Sequence, residues 1–246
     1  MKMAIVMPVY NEAALLERSV DRLLACPLCR DNSGREIERL LVMIDDGSTD
    51  GTTDLCRRIA ERPGVLFEAQ SPNAGKGAAV RRGIARAVEA GADLIVIHDA
   101  DLEYDPADHA ALVAPLLDGR ADAVIGSRFL GHTHRVLYYW HSLANRFITT
   151  FSNILTNLNL SDIECCLKAF TADVARKMAL KEDRFGIEPE IIARLARMRV
   201  GPESRAVRVY EVAVSYAGRT YAEGKKIGWR DGVGALVTIV HRNLID

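Results

Sequence analysis

The chain reads as an α/β protein built on a mostly parallel, Rossmann-like sheet flanked by helices. Two observations predict this. Short apolar, β-branched runs alternate with helix-period segments through the first half, the signature of βαβ units. Polar clusters follow several of those runs, where ligands of open α/β sheets gather. The 246 residues suffice for one large core, and 49% apolar with 26% charged residues is ordinary soluble composition. A formal net charge of -1 gives no general attraction to nucleic acid, so anion recognition must be local.

The expected strands are Met3 to Val9, Leu40 to Ile44, Val65 to Ala69, Leu94 to Ile97 and Ala123 to Ile125. Between them, Ala13 to Ala25, Asp50 to Glu61, Lys76 to Ala90 and Pro106 to Leu117 repeat apolar residues at three and four, as helices do. The second half suggests a helix over Trp140 to Thr156, a strand over Cys166 to Phe170, a helix near Glu190 to Arg199 and a strand over Val207 to Ser215. The glycine-punctuated segment Ala217 to Lys226 reads as a loop whose cations suit an anion. Residues 1–229 are expected to form the catalytic unit, and 230–246 an amphipathic helix packed on the core, a partner or a membrane surface. The apolar run Ala235 to Val240 is too short to span a bilayer. No secretory pattern opens the sequence, which predicts a cytoplasmic protein. The odd count of five cysteines argues against a disulfide framework, and Cys26-Pro27-Leu28-Cys29 is read as a reduced loop.

Four strand ends carry residues suited to a nucleotide. Asp99-Ala100-Asp101 closes the fourth strand, and carboxylates one residue apart suit a hard divalent cation that completes its shell with water and phosphate oxygens. Asp45-Asp46-Gly47-Ser48-Thr49-Asp50-Gly51 closes the second: an acid there can accept from a base or ribose, while Ser48 or Asp50 can cap the next helix. Asn73-Ala74-Gly75-Lys76-Gly77 has glycines before a helix start but lacks P-loop spacing, which excludes an ATPase of that type. His132 and His134 have spacing compatible with a metal, but the acid pair already supplies the harder site. Tyr138-Tyr139-Trp140 precedes a helix and suits a lipid chain, an interface or the core.

These segments, with Pro8-Val9-Tyr10-Asn11-Glu12, resemble glycosyltransferase family two. Gly126-Ser127-Arg128, Asp162 to Lys168, Arg184 to Glu190 and Gly218 to Trp229 resemble its polyprenyl-phosphate sugar transferases, of the dolichol-phosphate mannose synthase type. The resemblance implies a GT-A fold and an inverting transfer of a hexose from a nucleotide sugar, with Mg²⁺ or Mn²⁺, to a polyprenyl phosphate at the inner face of the membrane. It places Pro8, Tyr10, Asn11, Glu12, Asp45, Asp46, Ser48, Asn73, Gly75, Lys76, Asp99, Ala100 and Asp101 at the donor, and the metal on Asp99, Asp101 and Glu103. Arg128, Arg135, Arg219, Lys225 and Lys226 are expected near phosphates, and Asp162, Glu164, Arg128 and Lys168 as the catalytic set. These cations outnumber the needs of one metal-neutralised diphosphate, and an acceptor phosphate would use the surplus. Asp162 and Glu164 are candidates either for a base or for orienting the sugar.

Cys165 and Leu167 stand where relatives often carry Thr and Tyr, Glu103 where many carry Gln or Ser, and no membrane-spanning tail is expected. A hydroxyl acceptor on a glycan, lipid headgroup or soluble metabolite is the rival reading, and a non-catalytic nucleotide-sugar-binding regulator a third. A membrane partner or a homo-oligomer is compatible with the sequence. The donor base and sugar are not encoded in any motif.

Overall fold

A computed structural model describes residues 1–131, 135–136, 138–220 and 228–246, with the side chains of 229 and 230 excepted. His132, His134, Lys225 and Lys226 lie outside the described residues. The first half runs β1 (Lys2–Val9), α1 (Leu16–Ala25), β2 (Glu38–Asp45), α2 (Thr52–Ile59), β3 (Val65–Ala69), α3 (Lys76–Glu89), β4 (Leu94–Ile97), a 3-10 turn at Pro106–Asp108, α4 (His109–Leu117) and β5 (Ala123–Ser127). The second half runs α5 (Tyr139–Thr156), β6 (Lys168–Thr171), α6 (Ala172–Lys177), α7 (Ile187–Arg197), β7 (Arg199–Val200), β8 (Arg205–Ala206), β9 (Val209–Ala213) and α8 (Trp229–Leu244).

Among the described residues, seven strands form one sheet in the order β3-β2-β1-β4-β6-β5-β9, and β7 pairs with β8 apart from it. Helices cover the sheet, so its central strands are buried on both faces: Met3 to Met7 of β1 and all of β4 are inaccessible. Helix α1 buries Leu16, Ser19, Val20 and Leu23, one stripe at helical spacing. Helix α3 lies close against β1 because residue 83 is glycine; a Cβ there would stand 2.3 Å from Val6 Cγ1.

The chain crosses from β3 back over β1 to β4, so the strand order reverses between β1 and β4, and a crevice opens outside their carboxyl ends. β5 is parallel to β4, because both run antiparallel to β6 between them. All four polar strand ends therefore lie on one edge of the sheet. The antiparallel direction of β6, the short α6 and the β7–β8 pair carry no sequence signal of the kind used above. Helix α1 starts at Leu16 rather than Ala13, since Glu12 O accepts from Leu15 N and Leu16 N and holds the preceding residues in a turn. Helix α8 packs on α5 and α7, burying Ala235, Thr238, Ile239 and Asn243.

Candidate active site

At the strand-order reversal lies a cleft of about 1240 Å³. It is lined by Pro8 at the end of β1 and Tyr10 and Glu12 after it, by Asp46 after β2, by Asn73, Gly75 and Lys76 at the start of α3, and by Asp99, Ala100 and Asp101 after β4. Gly75 has φ of 106°, and a Cβ there would meet Asp183 O at 2.3 Å, so only glycine fits this approach. The Asp46 carboxylate accepts from Asn73 Nδ2, Ala74 N and Gly75 N, each at 2.8 Å, and shapes that wall.

Three residues expected at the nucleotide do not line the cleft. Asp45 is fully buried and accepts from the Ser48 and Thr53 hydroxyls, both at 2.5 Å. Ser48 Oγ in turn accepts from Asn11 N at 2.8 Å, and Asn11 Oδ1 from Thr49 N at 2.8 Å. Asp45, Ser48 and Asn11 thus join the loops after β1 and β2, a role set by burial and local hydrogen bonding.

The acid pair is enclosed by cations. Lys76 Nζ lies 2.8 Å from Asp99 and 2.7 Å from Glu188, and Arg219 Nη2 lies 2.9 Å from Asp101. Burial opposes ionisation of Asp99, but Lys76 outweighs it and holds the pKa below the usual carboxylate range. Burial, Asp99 and Glu103 push Asp101 up to about 7 despite Arg219. Glu103, expected as a third metal ligand, has other commitments: Oε1 accepts from Arg219 N and Nε, and Oε2 from Tyr216 OH at 2.9 Å. Among the described residues, no three His, Cys, Asp or Glu side chains converge as a metal cluster. Asp99 and Asp101 still suit a cation, since two hard oxygens on one loop match Mg²⁺ or Mn²⁺ completed by water and phosphate oxygens. Behind Asp99, His98 Nδ1 and His109 Nε2 form a buried pair at 3.0 Å, and burial drives the His98 pKa down to about 4.

Arg128, which lines the cleft, forms a fork-to-carboxylate pair with Asp162 behind it, Nε–Oδ2 at 2.7 Å and Nη2–Oδ1 at 2.8 Å. Asp162 is 0% exposed and also accepts from Arg128 N and Asn145 Nδ2. Burial raises its pKa, but Arg128 reverses that shift and keeps it below the ordinary value. This encircled carboxylate, expected as a base or as an orienter of the sugar, does not line the cleft and is held by Arg128 instead. Lys168, expected in the catalytic set, does not line it either: it is fully buried, and its Nζ donates to the carbonyls of Ile163 and Cys165, bracing that loop. Glu164 does line the cleft, and burial with the neighbouring Glu188 pushes its pKa up to about 7. Arg128 also faces the Tyr216 ring, 5.2 Å from its centroid.

Another part of the lining is apolar. Tyr138, Tyr139, Trp140, Phe147 and Ile148 from α5 and its entry, with Val233 and Leu236 from α8, line the same cleft as the acid pair. Tyr139, Trp140 and Phe147 are 70%, 73% and 61% exposed. Arg135 also lines the cleft and donates to Gly218 O at 3.2 Å. Glu188, which lies in the matching segment Arg184 to Glu190 without an assigned role there, lines the cleft together with Tyr104, Tyr216 and Asn145, which carry no sequence signal; long-range packing brings them to it.

Residues 4–179 match the profile of Glycosyl transferase family 2. The chain belongs to that family. Its curated relatives include an undecaprenyl-phosphate mannosyltransferase of Micrococcus luteus, 28% identical over 93% of this chain and 88% of the relative. They also include an undecaprenyl-phosphate 4-deoxy-4-formamido-L-arabinose transferase of Edwardsiella ictaluri, 29% identical over 90% of this chain, which spans 62% of that relative's length. The family 2 fold here superposes on glucosyl-3-phosphoglycerate synthase from Mycobacterium tuberculosis, crystallised with Mn²⁺, UDP and glucosyl-3-phosphoglycerate, with a TM-score of 0.69 at 20% identity over 100% of this chain and 81% of the other. That likeness establishes a GT-A architecture for this family 2 chain. Among the described residues, no helix is long and apolar enough to cross a membrane.

Proposed function

We propose that the protein transfers a hexose from a nucleotide sugar to a polyprenyl phosphate, with the nucleotide seated at the polar end of the cleft. The observation that carries this reading is continuity: one cavity joins the acid pair Asp99 and Asp101 to the exposed aromatic and aliphatic wall of α5 and α8. A soluble sugar acceptor has no use for such a wall, whereas an isoprenoid chain does. The undecaprenyl-phosphate relatives give the same acceptor class independently.

Asp99 and Asp101 are the residues that would hold Mg²⁺ or Mn²⁺, which when bound neutralises charge on the leaving diphosphate. Pro8, Tyr10, Glu12 and the Asn73–Lys76 wall enclose the nucleoside. Lys76 ties Asp99 to Glu188 and fixes the acid pair relative to the sugar end. Arg128 and Arg135 face the acceptor side and supply positive charge for its phosphate. A phosphate monoester has a second pKa near 6 and is largely a dianion at neutral pH, so the chain need only position it. Attack from the face opposite the leaving group inverts the anomeric centre. The exposed aromatic wall would bring the lipid end of the cleft to the cytoplasmic surface of a membrane.

The test is nucleotide release from a panel of uridine and guanosine diphosphate sugars, with Mn²⁺ or Mg²⁺ and a short polyprenyl phosphate. Release should require the lipid phosphate. Release that instead needs a free hydroxyl acceptor would contradict the proposal.

A further inference from the structure

Gly75 and Gly77 open α3 in the manner of glycines that admit a phosphate, yet what approaches them is protein. A Cβ at Gly75 would meet Asp183 O at 2.3 Å, and one at Gly77 would meet Glu182 O at 2.3 Å. Asp183 O also accepts from Ala78 N at 3.0 Å, satisfying one of the donors that the first turn of a helix leaves open. Arg81, further along α3, donates to Glu182 O at 3.2 Å and pairs with Asp183 Oδ1 at 2.6 Å. Segment 182–184 is thus the seat of the α3 N-terminus, from which Lys76 reaches Asp99.

Two side chains hold the seat from behind. Glu190, fully buried on α7, accepts from Lys181 N at 2.9 Å and from Glu182 N at 2.7 Å. Arg242, reaching over from α8, donates to Glu182 Oε1 through Nε at 3.1 Å and Nη2 at 2.8 Å. Arg242 also lies 3.3 Å from Glu190 and 2.8 Å from Asp246. Arg194 shares Glu190 and Asp246 with it, but among the described residues only Arg242 pairs with the Glu182 carboxylate. Neither Arg242 nor Glu182 lines the cleft.

We propose that Arg242 is a positioning residue for the nucleotide sugar: by fixing Glu182 it holds segment 182–184 under α3 and so sets the Asn73–Lys76 wall against Asp99. The inference rests on the nucleotide reading of the cleft. It gives α8 a task besides its packing on α5 and α7. Without the guanidinium, the seat can shift, and a small displacement of a binding wall is expensive even when the change is remote.

Arg242→Met, Glu182→Gln and Arg194→Met separate positioning from stability. Both arginine variants lose pairs to Glu190 and Asp246, so both should lower Tm. Calorimetric titration uses UDP, GDP, UDP-glucose and GDP-mannose in saturating Mn²⁺, well below each Tm. A nucleotide that binds wild type should weaken about tenfold in Arg242→Met and Glu182→Gln, and stay within about twofold in Arg194→Met. The double variant of Arg242 and Glu182 should bind no worse than either single one, since both remove one contact. Amide exchange read by mass spectrometry, without ligand, should quicken at residues 75–80 in Arg242→Met and Glu182→Gln only. Equal affinity losses in Arg194→Met would overturn the proposal and leave Arg242 a stabilising residue. So would unchanged affinity in Arg242→Met and Glu182→Gln, whatever the exchange. Should Arg242→Met not fold, Glu182→Gln decides, because it leaves Arg242 its pairs with Glu190 and Asp246. A wild type that binds none of these nucleotides refutes the nucleotide reading, while exchange at 75–80 still decides whether Arg242 holds that wall.

Discussion

Replacing Asp162 with Asn tests whether this residue supports the site or reacts in it. In the folded chain its carboxylate is 0% exposed and faces a guanidinium with 16% side-chain exposure, at 2.7 and 2.8 Å. The substitution leaves the Arg128 charge buried without a counter-charge, and removing one partner of such a pair costs about 3 to 5 kcal/mol. At roughly 2 to 4 °C per kcal/mol for a chain of this size, Tm should fall by about 6 to 20 °C. Calorimetry or urea unfolding reads this directly. A double variant, Arg128→Met with Asp162→Leu, should recover most of the loss, because apolar replacement of a buried pair is often neutral, yet it should remain inactive for want of Arg128. An Asp162→Asn protein that keeps its Tm within about 2 °C while losing turnover would refute the reasoning and restore Asp162 as a base.

Other outcomes follow from the same geometry. Tyr139→Ala with Trp140→Ala should raise KM for the polyprenyl phosphate at least tenfold and leave nucleotide affinity unchanged; a matching loss for the nucleotide would remove the aromatic wall from the acceptor path. Arg219 competes with any cation for Asp101 at 2.9 Å, so Arg219→Ala should bind Mn²⁺ more tightly by calorimetry while turning over more slowly. Weaker Mn²⁺ binding would show that Arg219 orders the acids rather than screening them. The His98 pKa, pushed down to about 4 from an unfolded value near 6.5, means that the unfolded chain binds more protons between those values. Stability should therefore drop as pH falls from 6.5 toward 4, by about 3 kcal/mol from His98. The slope should flatten in His98→Gln, measured by urea unfolding at pH 7.5 and 5; an unchanged slope would place the histidine pair outside the acid response.

Much of this architecture is legible in the sequence because it is local. Leu94 to Ile97 is a short β-branched run, and Asp99 and Asp101 follow it where the carboxyl end of a parallel strand must lie. The 3.6-residue stripe of α1 and the glycine at 75 are likewise written in neighbouring positions. What escapes is the direction each side chain takes once the chain folds. Asp45 and Asp46 are adjacent acids at one strand end and both are buried, yet Asp45 is taken up by the Ser48 and Thr53 hydroxyls while Asp46 holds the Asn73–Gly75 wall and lines the cleft. Lys168 and Arg128 are both cations in matching segments, but β6 buries the first under the loop it braces. Glu103 has the spacing of a third ligand, and only the approach of Tyr216 and Arg219, more than a hundred residues later, commits it elsewhere. Partners that distant leave no pattern in either segment.

The central claim is that one cleft holds a nucleotide sugar at Asp99 and Asp101 and a lipid phosphate along α5 and α8. The most direct measurement is sugar transfer from a nucleotide donor to a short polyprenyl phosphate, followed by mass spectrometry of the lipid. The account predicts a hexose-phosphate-lipid product that requires divalent metal and disappears in Asp101→Ala. A glycosylated hydroxyl acceptor with the lipid phosphate left unmodified would contradict it.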